Sequence, residues 1–317
     1  MVQAVNSALD NMLSMDEDVL VFGEDVGYFG GVFRTTDGLQ EKHGAHRVFD
    51  TPLSEGGIAA IAFGMGLNGL KPVCEIQFAD YIFPAYDQIV NEIAKLRHRS
   101  GGEFWTPITI RTPAGGGIRG GHHHSQSPES QFTHTPGLKV VYSSTPYNAK
   151  GLLISAIESE DPVIVFEPKR CYRGPFYGDP HKVPTWSGHA EAEVPDVHYT
   201  VPIGEARLVT EGNDCTVIAW GTMVHVCEEG IRQSGASCDL IDLQSLIPWD
   251  REAVVRSVKK TGRCVIVHEA PKTSGYGAEM AASVQERCFW SLEAPVTRVT
   301  GWDLSLIHIS EPTRQIV

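Results

Sequence analysis

Several features that would assign a chain to a membrane or an exported class are missing from this sequence of 317 residues. No apolar stretch approaches the roughly 18 residues that span a bilayer. The N-terminal residues show neither a charged segment followed by an apolar core nor an Arg-rich transit pattern. We therefore expect no membrane partner, and either a cytoplasmic bacterial protein or the mature form of a mitochondrial matrix protein.

Basic residues are also scarce. The chain has 26 Lys and Arg against 39 Asp and Glu, a net charge of −13, and no basic run is longer than Lys259-Lys260. Proteins that bind nucleic acid usually carry a clustered positive patch that neutralises phosphates. The composition therefore argues against a nucleic-acid partner.

The cysteines show no pattern of disulfide or metal chemistry. There are seven, an odd number, and no two of them form a C-x-x-C pair. Several lie in apolar runs of strand type, which is typical of reduced thiols in the core of an intracellular protein.

What the sequence does contain is a regular alternation of helix and strand patterns. In the first half of the chain these patterns cover residues 2–13, 19–23, 54–70, 72–78, 84–99, 108–112, 147–157 and 163–167. A second, shorter series runs from Thr216 to Val299. Such alternation predicts parallel sheets that are covered by helices on both faces, which is an α/β fold.

We expect two doubly wound domains, residues 1–175 and a smaller one at residues 201–303. Between them, residues 176–200 are rich in Gly, Pro, His and Trp without a sustained period, which is typical of a linker. Residues 304–317, LSLIHISEPTRQIV, do not continue the periodicity of the second domain. We interpret them as an atypical tail.

One carboxylate, Glu55, lies in an otherwise uncharged turn at a predicted helix start. Ser54 is a suitable N-cap, and apolar residues recur at helical spacing from Ile58. A first-turn acid can simply favour the helix dipole, by roughly 0.3–1 kcal/mol. However, the next strand ends in a polar and aromatic cluster, and burial against such a wall raises the pKa of a carboxylate. The second interpretation makes Glu55 an acid–base group.

A glycine-rich segment, residues 114–121, leads into His122, His123 and His124, followed by SQSPE. Adjacent residues of an extended chain point to opposite faces, so the three imidazoles cannot easily ligate one metal ion. Two other interpretations stay open. The cluster is either a solvated polar loop or the source of a functional imidazole, which titrates at about pH 6.5 and suits proton transfer.

Two motifs, TPLSEGGIA and EIQFADYIFPAYDQIVNE, resemble the beta subunits of the thiamine-diphosphate-dependent 2-oxo acid dehydrogenases of the transketolase-like family. The resemblance extends to about Gly301, and SQSPE favours the branched-chain type. It implies a pyrimidine-binding domain followed by a transketolase C-terminal-like domain. It also implies oxidative decarboxylation of a branched-chain 2-oxo acid in an α2β2 heterotetramer, with acyl transfer to lipoyl groups of a dihydrolipoyl acyltransferase core.

The resemblance implies roles for five side chains. Glu55 would hydrogen-bond a pyrimidine nitrogen of the cofactor, and His124, immediately before SQSPE, would assist proton movements in lipoyl acylation. Leu53, Gln77 and Tyr81 would hold the pyrimidine, although Tyr81 taken alone could also be an aromatic cap of the core. His122 and His123 match no family histidine, and His134 matches one without a clear role.

The diphosphate and its magnesium are expected on another chain. The family binds them through a Gly-Asp-Gly motif, which this sequence lacks. The nearest match is Gly178-Asp179-Pro180, where proline removes both the turn and an N–H donor. The alpha subunit would therefore carry the Mg²⁺ site.

A potassium ion is a weaker implication of the resemblance. Eukaryotic relatives hold K⁺ with backbone carbonyls at positions that correspond to Ile108, Thr109, Ala156, Ser159 and Asp161 in this sequence.

Other functions are compatible with parts of this sequence. Within the family, the alternatives are the beta subunits of pyruvate and acetoin dehydrogenases. Outside it, they are a scaffold subunit without catalysis and a metal-dependent hydrolase built on the histidines. Because a scaffold needs none of the residues Glu55, Gln77, Tyr81 and His124, their joint presence argues against the scaffold. The tail lacks the proline-containing turn and final helix of the family, which leaves part of a subunit contact in doubt.

Overall fold

The computed structural model describes residues 1–118, 120–172 and 192–303. Residues 192–200 of the predicted linker lie within these ranges and have no regular secondary structure. The remainder of the linker, with Gly178-Asp179-Pro180, and the whole predicted tail lie outside the described residues.

The first domain is built on a seven-stranded sheet in the order β10-β5-β6-β4-β3-β1-β2. All neighbouring strands are parallel except β10, which pairs antiparallel with β5. Its strands are β1 Val19–Gly23, β2 Val48–Asp50, β3 Lys71–Glu75, β4 Thr109–Ala114, β5 Lys139–Tyr142, β6 Val163–Pro168 and β10 Ser245–Ile247.

Helices cover both faces of this sheet because strand residues alternate between two apolar cores. Val21 packs with α1 and α6 on one face, whereas its neighbour Phe22 packs with α3 on the other. The helices are α1 Val2–Met15, α2 Leu39–His43, α3 Glu55–Leu67, α4 Leu96–Arg99, α5 Glu129–Thr133, α6 Pro146–Ile157 and α7 Lys169–Tyr172.

The second domain repeats the design on a five-stranded sheet in the order β12-β11-β8-β9-β7. Helix α8 covers one face, and α9 and α10 cover the other. The elements are β7 Arg207–Thr210, β8 Cys215–Ala219, α8 Thr222–Ser234, β9 Cys238–Asp242, α9 Arg251–Thr261, β11 Cys264–Pro271, α10 Tyr276–Cys288 and β12 Thr297–Gly301. The predicted α/β fold with two doubly wound domains is confirmed.

Two predicted elements differ from the observed ones. Residues 84–99 do not form one α-helix, but a 3₁₀ turn at Phe83–Ala85, a π-helix at Gln88–Ile93 and the short helix α4. The π-helix keeps both Ile89 and Ile93 fully buried, so the apolar spacing alone did not reveal the break. The strand predicted at 72–78 ends at Glu75, where the chain turns towards a 3₁₀ segment, Ala79–Tyr81.

The two domains share a core. Strand β10 follows β9 of the second domain but joins the first sheet, and Trp220 and Leu246 pack in the same cluster as Phe132 and Tyr142. Hydrogen bonds also cross the boundary, since Trp220 Nε1 donates to Glu129 Oε1 at 3.2 Å. The domains are therefore fixed relative to one another.

The thiols behave as the sequence predicts. All seven cysteines are free and six are buried. Among the described residues, no helix has both the length and the apolar character needed to cross a membrane.

Candidate active site

The predicted site residues converge on one edge of the first sheet. Strands β1, β2, β3 and β4 are parallel neighbours, so their carboxyl ends lie together. Glu55 follows β2, Tyr81 follows β3, and the loop that carries His124 follows β4. Ligands of α/β proteins commonly bind at this edge, which makes it the candidate active site.

Glu55 is the first residue of α3 and is only 9% exposed. Ser54 occupies the N-cap position, as predicted, but its side chain makes no capping hydrogen bond. The helix start packs tightly, because a Cβ atom at Gly56 would lie 3.1 Å from the Pro84 carbonyl oxygen. Glu55 is therefore a buried carboxylate and not the solvated surface acid of the first interpretation.

A second buried carboxylate, Glu24, lies at the end of β1. Burial raises its pKa, and the negative charges of Glu55, Asp25 and Glu75 raise it further. Its Oε1 atom is buried and has no hydrogen-bond partner within the described part of the chain. Glu24 is thus a candidate site residue that sequence reasoning missed, and its signal was the pair of acids Glu24-Asp25 directly after a buried strand.

Tyr81 and His124 are brought together by the fold. The Tyr81 hydroxyl and His124 Nε2 share a hydrogen bond of 2.8 Å. Phe78 packs edge-on against the imidazole, with ring centroids 4.5 Å apart. Burial and the charges of Asp80, Glu55 and Glu24 raise the pKa of Tyr81, so the phenol keeps its proton. Tyr81 therefore both packs against the core and is the hydrogen-bond partner of His124.

The other two predicted contacts lie nearer to solvent. Gln77 Nε2 donates to Asp25 Oδ2 at 3.2 Å, and Leu53 is 80% exposed. Asp25 has a φ of +57°, a conformation that costs most side chains free energy. These residues leave the edge open, so Leu53 is available to a ligand or to another chain.

Two other histidines, His122 and His134, lie outside this cluster. His122 and His134 line a cleft of about 1580 Å³ between the two domains, whose lining does not include Glu55, Tyr81 or His124. In the described ranges, no group of three His, Cys, Asp or Glu side chains has the geometry of a metal site.

A buried ion cluster lies within the strands that end at this edge. Arg111 on β4 is fully buried between Glu75 on β3 and Glu167 on β6, with Arg111 Nη2 2.7 Å from Glu167 Oε2. The same nitrogen donates to Thr35 Oγ1 at 3.1 Å. Burial raises the pKa of Glu75, and the Arg111 charge opposes this rise. The cluster thereby ties the chain that follows β1 to the centre of the sheet.

Comparison with known proteins identifies the family. Residues 1–175 match the transketolase pyrimidine binding domain and residues 204–315 match the transketolase C-terminal domain. The chain is 56% identical to the 2-oxoisovalerate dehydrogenase subunit beta of Pseudomonas aeruginosa, over 98% of this chain and 89% of that protein. The mitochondrial subunit beta of Dictyostelium discoideum is 55% identical, over 95% and 78% of the two chains. The chain belongs to the beta subunits of the branched-chain 2-oxo acid dehydrogenases.

This beta subunit is also similar to a pyruvate dehydrogenase subunit and, in fold, to a transketolase. The pyruvate dehydrogenase E1 subunit beta of Acholeplasma laidlawii is 46% identical, over 96% of this chain and 90% of that one. A solved structure of a split-gene transketolase, an inactive beta4 tetramer, has a TM-score of 0.72 at 22% identity. That alignment covers 98% of this chain and 89% of the other, and it shows the shared fold.

Membership of this family means that the beta subunit depends on thiamine diphosphate and works with an alpha subunit. The residues present fit the pyrimidine half of the cofactor. Glu55 and Glu24 are buried acids, and Glu24 Oε1 lacks a partner among the described residues, so both can meet the nitrogen atoms of a heterocycle.

The segments with a predicted potassium site lie close together, since Val163 N donates to the Ile108 carbonyl at 2.9 Å. Ser159 Oγ donates to the Asp161 carbonyl at 2.8 Å. However, the ammonium group of Lys139 donates to Ser159 Oγ at 2.9 Å and lies 3.4 Å from an Asp161 carboxylate oxygen. Oxygen atoms are the ligand type that K⁺ prefers, but the ammonium group of Lys139 already lies beside these oxygen atoms.

Proposed function

We propose that this beta subunit, together with its alpha subunit, catalyses the oxidative decarboxylation of a branched-chain 2-oxo acid and transfers the acyl group to lipoyl groups of a dihydrolipoyl acyltransferase. The observation that carries the proposal is the hydrogen bond between Tyr81 and His124 beside the buried Glu55. When bound, thiamine diphosphate supplies the carbon nucleophile and the electron sink for decarboxylation. The side chains of this chain bind, orient and exchange protons.

Glu55 is the proposed acid–base residue for the pyrimidine. Its position at the start of α3 fixes the carboxyl group at the carboxyl edge of the sheet, where burial removes most competing water. A carboxyl group in this setting exchanges a proton with a ring nitrogen through a hydrogen bond. The neighbouring Glu24, whose pKa is raised, stays protonated more readily and limits the repulsion between the two acids.

His124 is the proposed proton-transfer group for lipoyl acylation. The hydrogen bond to Tyr81 holds Nε2, while Nδ1 is buried and has no partner within the described ranges. One nitrogen is thus oriented by the protein, and the other is available for a proton from the reaction. We propose Leu53, Gln77 and Tyr81 as the side chains that contact the pyrimidine.

The substrate preference can be measured directly. After co-expression with candidate alpha subunits, we expect the purified enzyme to decarboxylate 3-methyl-2-oxobutanoate faster than pyruvate in an assay with an artificial electron acceptor. The expected preference for a branched-chain substrate rests on the identities of 49–56% to 2-oxoisovalerate dehydrogenase beta subunits, against 46% to pyruvate dehydrogenase beta subunits. Faster turnover of pyruvate or acetoin would show that this compound, and not a branched-chain 2-oxo acid, is the preferred substrate. Absence of turnover with every alpha subunit would favour the alternative of a scaffold subunit without catalysis.

The isolated chain should bind thiamine diphosphate weakly even with Mg²⁺. The candidate site is open to solvent at Leu53, and the sequence lacks the Gly-Asp-Gly motif that holds the diphosphate in the family. We expect calorimetry to show affinity at least about 10²-fold lower than in the reconstituted enzyme, which corresponds to about 3 kcal/mol. Tight, stoichiometric binding by this chain alone would contradict a site shared between two chains.

Several features of assembly belong to the same proposal. We propose that the Mg²⁺ site lies on the alpha subunit. We also propose that two alpha and two beta subunits form an α2β2 heterotetramer, which is attached to an acyltransferase core. We propose domain boundaries at 1–175 and 201–303; the family matches cover residues 1–175 and 204–315, so the second match extends into the predicted tail. Because relatives occur in bacteria and in mitochondria, we propose the bacterial cytoplasm or the mitochondrial matrix as the compartment. Potassium at residues 108–109 and 156–161 stays a proposal, and no catalytic step depends on it.

A further inference from the structure

The loop that carries His124 is held by two carboxylates from outside the loop. It follows β4 and is described at residues 115–118 and 120–126. Asp80 Oδ1 accepts from the backbone N–H groups of Ser125 and Gln126, each at 3.3 Å. At the other end, Glu269 Oε1 accepts from the N–H of Gly116 at 2.8 Å. One carboxylate therefore fixes the residues next to His124, and the other fixes the start of the loop.

These two carboxylates come from different domains. Asp80 lies beside Tyr81 in the first domain, whereas Glu269 is in β11 of the second domain, 153 residues from Gly116. The base of the loop is closed by the Gly115 N–H, which donates to the Gln126 carbonyl at 2.9 Å. Glu269 thus contacts the strand end from which the whole loop departs.

The approach of Glu269 depends on glycine in the loop. A Cβ atom at Gly115 would lie 2.5 Å from Glu269 Oε2, and Gly115 has a φ of +80°, which disfavours other residues. Further along, a Cβ atom at Gly120 would lie 2.6 Å from the Cβ of His124. The glycines therefore allow close contact at both the anchored end and the histidine end.

A buried cation lies near both carboxylates. Burial lowers the pKa of Lys169 to about 8, and the negative charges of Asp80 and Glu269 oppose this change. The Lys169 ammonium also lies 5.5 Å from the centre of the Phe78 ring, which packs on His124. Burial raises the pKa of Glu269, and the hydrogen bond from Gly116 and the charges of Lys169 and Arg170 oppose this rise, so Lys169 favours the charged form of the carboxylate that anchors the loop.

We propose that Glu269 is a positioning residue through which the second domain holds the His124 loop, so that the imidazole keeps its hydrogen bond to Tyr81. This inference rests on the proposed role of His124. It gives the second domain a part in positioning the imidazole at an edge that otherwise belongs to the first sheet. Small displacements of an acid–base group can cost about 10²-fold in rate.

The test compares substitutions at Glu269 in the reconstituted enzyme with its acyltransferase. Glu269→Met keeps the volume but removes the acceptor, and Glu269→Gln keeps an acceptor oxygen without the charge. We expect Glu269→Met to slow lipoyl acylation by about 10²-fold and Glu269→Gln to restore it to within a few-fold of the parent. Glu286→Ala, on the exposed side of α10, is the control and should be silent.

A second measurement reports on the loop without activity. Amide hydrogen exchange of the peptide that contains Gly116 should be faster in Glu269→Met than in Glu269→Gln. If Glu269→Met does not assemble, Glu269→Asp serves instead, because it keeps the charge but withdraws the acceptor, and the same slowing is expected.

The outcomes separate this inference from the proposed function. Unchanged exchange and rate in Glu269→Met would overturn the inference and leave the role of His124 intact. Equal impairment in Glu269→Met and Glu269→Gln would also overturn it, because the charge and not the hydrogen bond would then matter. Faster exchange at a normal rate would overturn the inference alone, because the anchor would then not position the imidazole, and His124→Ala would still test the role of His124 independently.

Discussion

Glu55→Gln is expected to lower decarboxylation by the reconstituted enzyme by about 10²–10⁴-fold, the range typical of a lost acid–base group. The amide keeps the size of the side chain, so the start of α3 and its close contact with Pro84 should be preserved. It cannot exchange a proton with a ring nitrogen as a carboxyl group does. Decarboxylation is measured with an artificial electron acceptor, and assembly is followed by size-exclusion chromatography.

The substitution should not destabilise the fold. Glu55 carries one of the charges that raise the pKa of Glu24, so its neutralisation relieves repulsion between two buried acids. The matched control is Glu252→Gln, since Glu252 is also a first-turn acid, in α9, but its side chain is 91% exposed. Similar and near-normal rates for both variants would return Glu55 to the role of a helix-dipole acid.

His124→Ala is expected to slow the overall reaction of the complex much more than it slows decarboxylation with an artificial acceptor. The physical reason is that the proposed proton transfer belongs to lipoyl acylation, which the artificial acceptor bypasses. A loss of about 10²–10⁴-fold in the overall reaction would exceed ordinary packing effects in an assembled variant. Both rates are measured on the same preparation of enzyme with its acyltransferase.

The control for this prediction is His122→Ala, two residues earlier in the same loop. His122 is exposed and lines the cleft between the domains, whereas His124 contacts Tyr81 and Phe78. We expect His122→Ala to be nearly silent. If the two alanine variants lose the same activity, the loop acts through its conformation, and the specific assignment to His124 is wrong.

The long periodic elements were predictable because local pattern and burial agree. Helices α1 and α6 begin and end within two residues of their predicted bounds. By contrast, β2, β5 and β10 contain only three or four residues, too few for a period to be recognised. Their pairing is set by the tertiary structure. The π-helix at Gln88–Ile93 has the apolar spacing of an α-helix and differs from one only in its hydrogen bonds.

The site was predictable only where a motif marked it. Glu55 and His124 stand in recognisable segments, and the structure places both at the same sheet edge. Glu24 has no such mark, and its proximity to Glu55 follows from the adjacency of β1 and β2. Glu269 is even less accessible to sequence reasoning, because its contact with Gly116 spans 153 residues and two domains. Its partner could be found only in the folded chain.

Strand β10 has a consequence for how the chain is made. During synthesis, β5 emerges well before Ser245–Ile247, the segment that pairs with it at the border of the first sheet. Until that segment is available, the backbone donors and acceptors on one side of Lys139–Tyr142 lack their final partner, and exposed strand edges of this kind can recruit other chains. A fragment that stops at the linker lacks β10, so the edge of β5 would stay exposed permanently. The first domain therefore completes its folding only when the second domain has left the ribosome as far as Ile247.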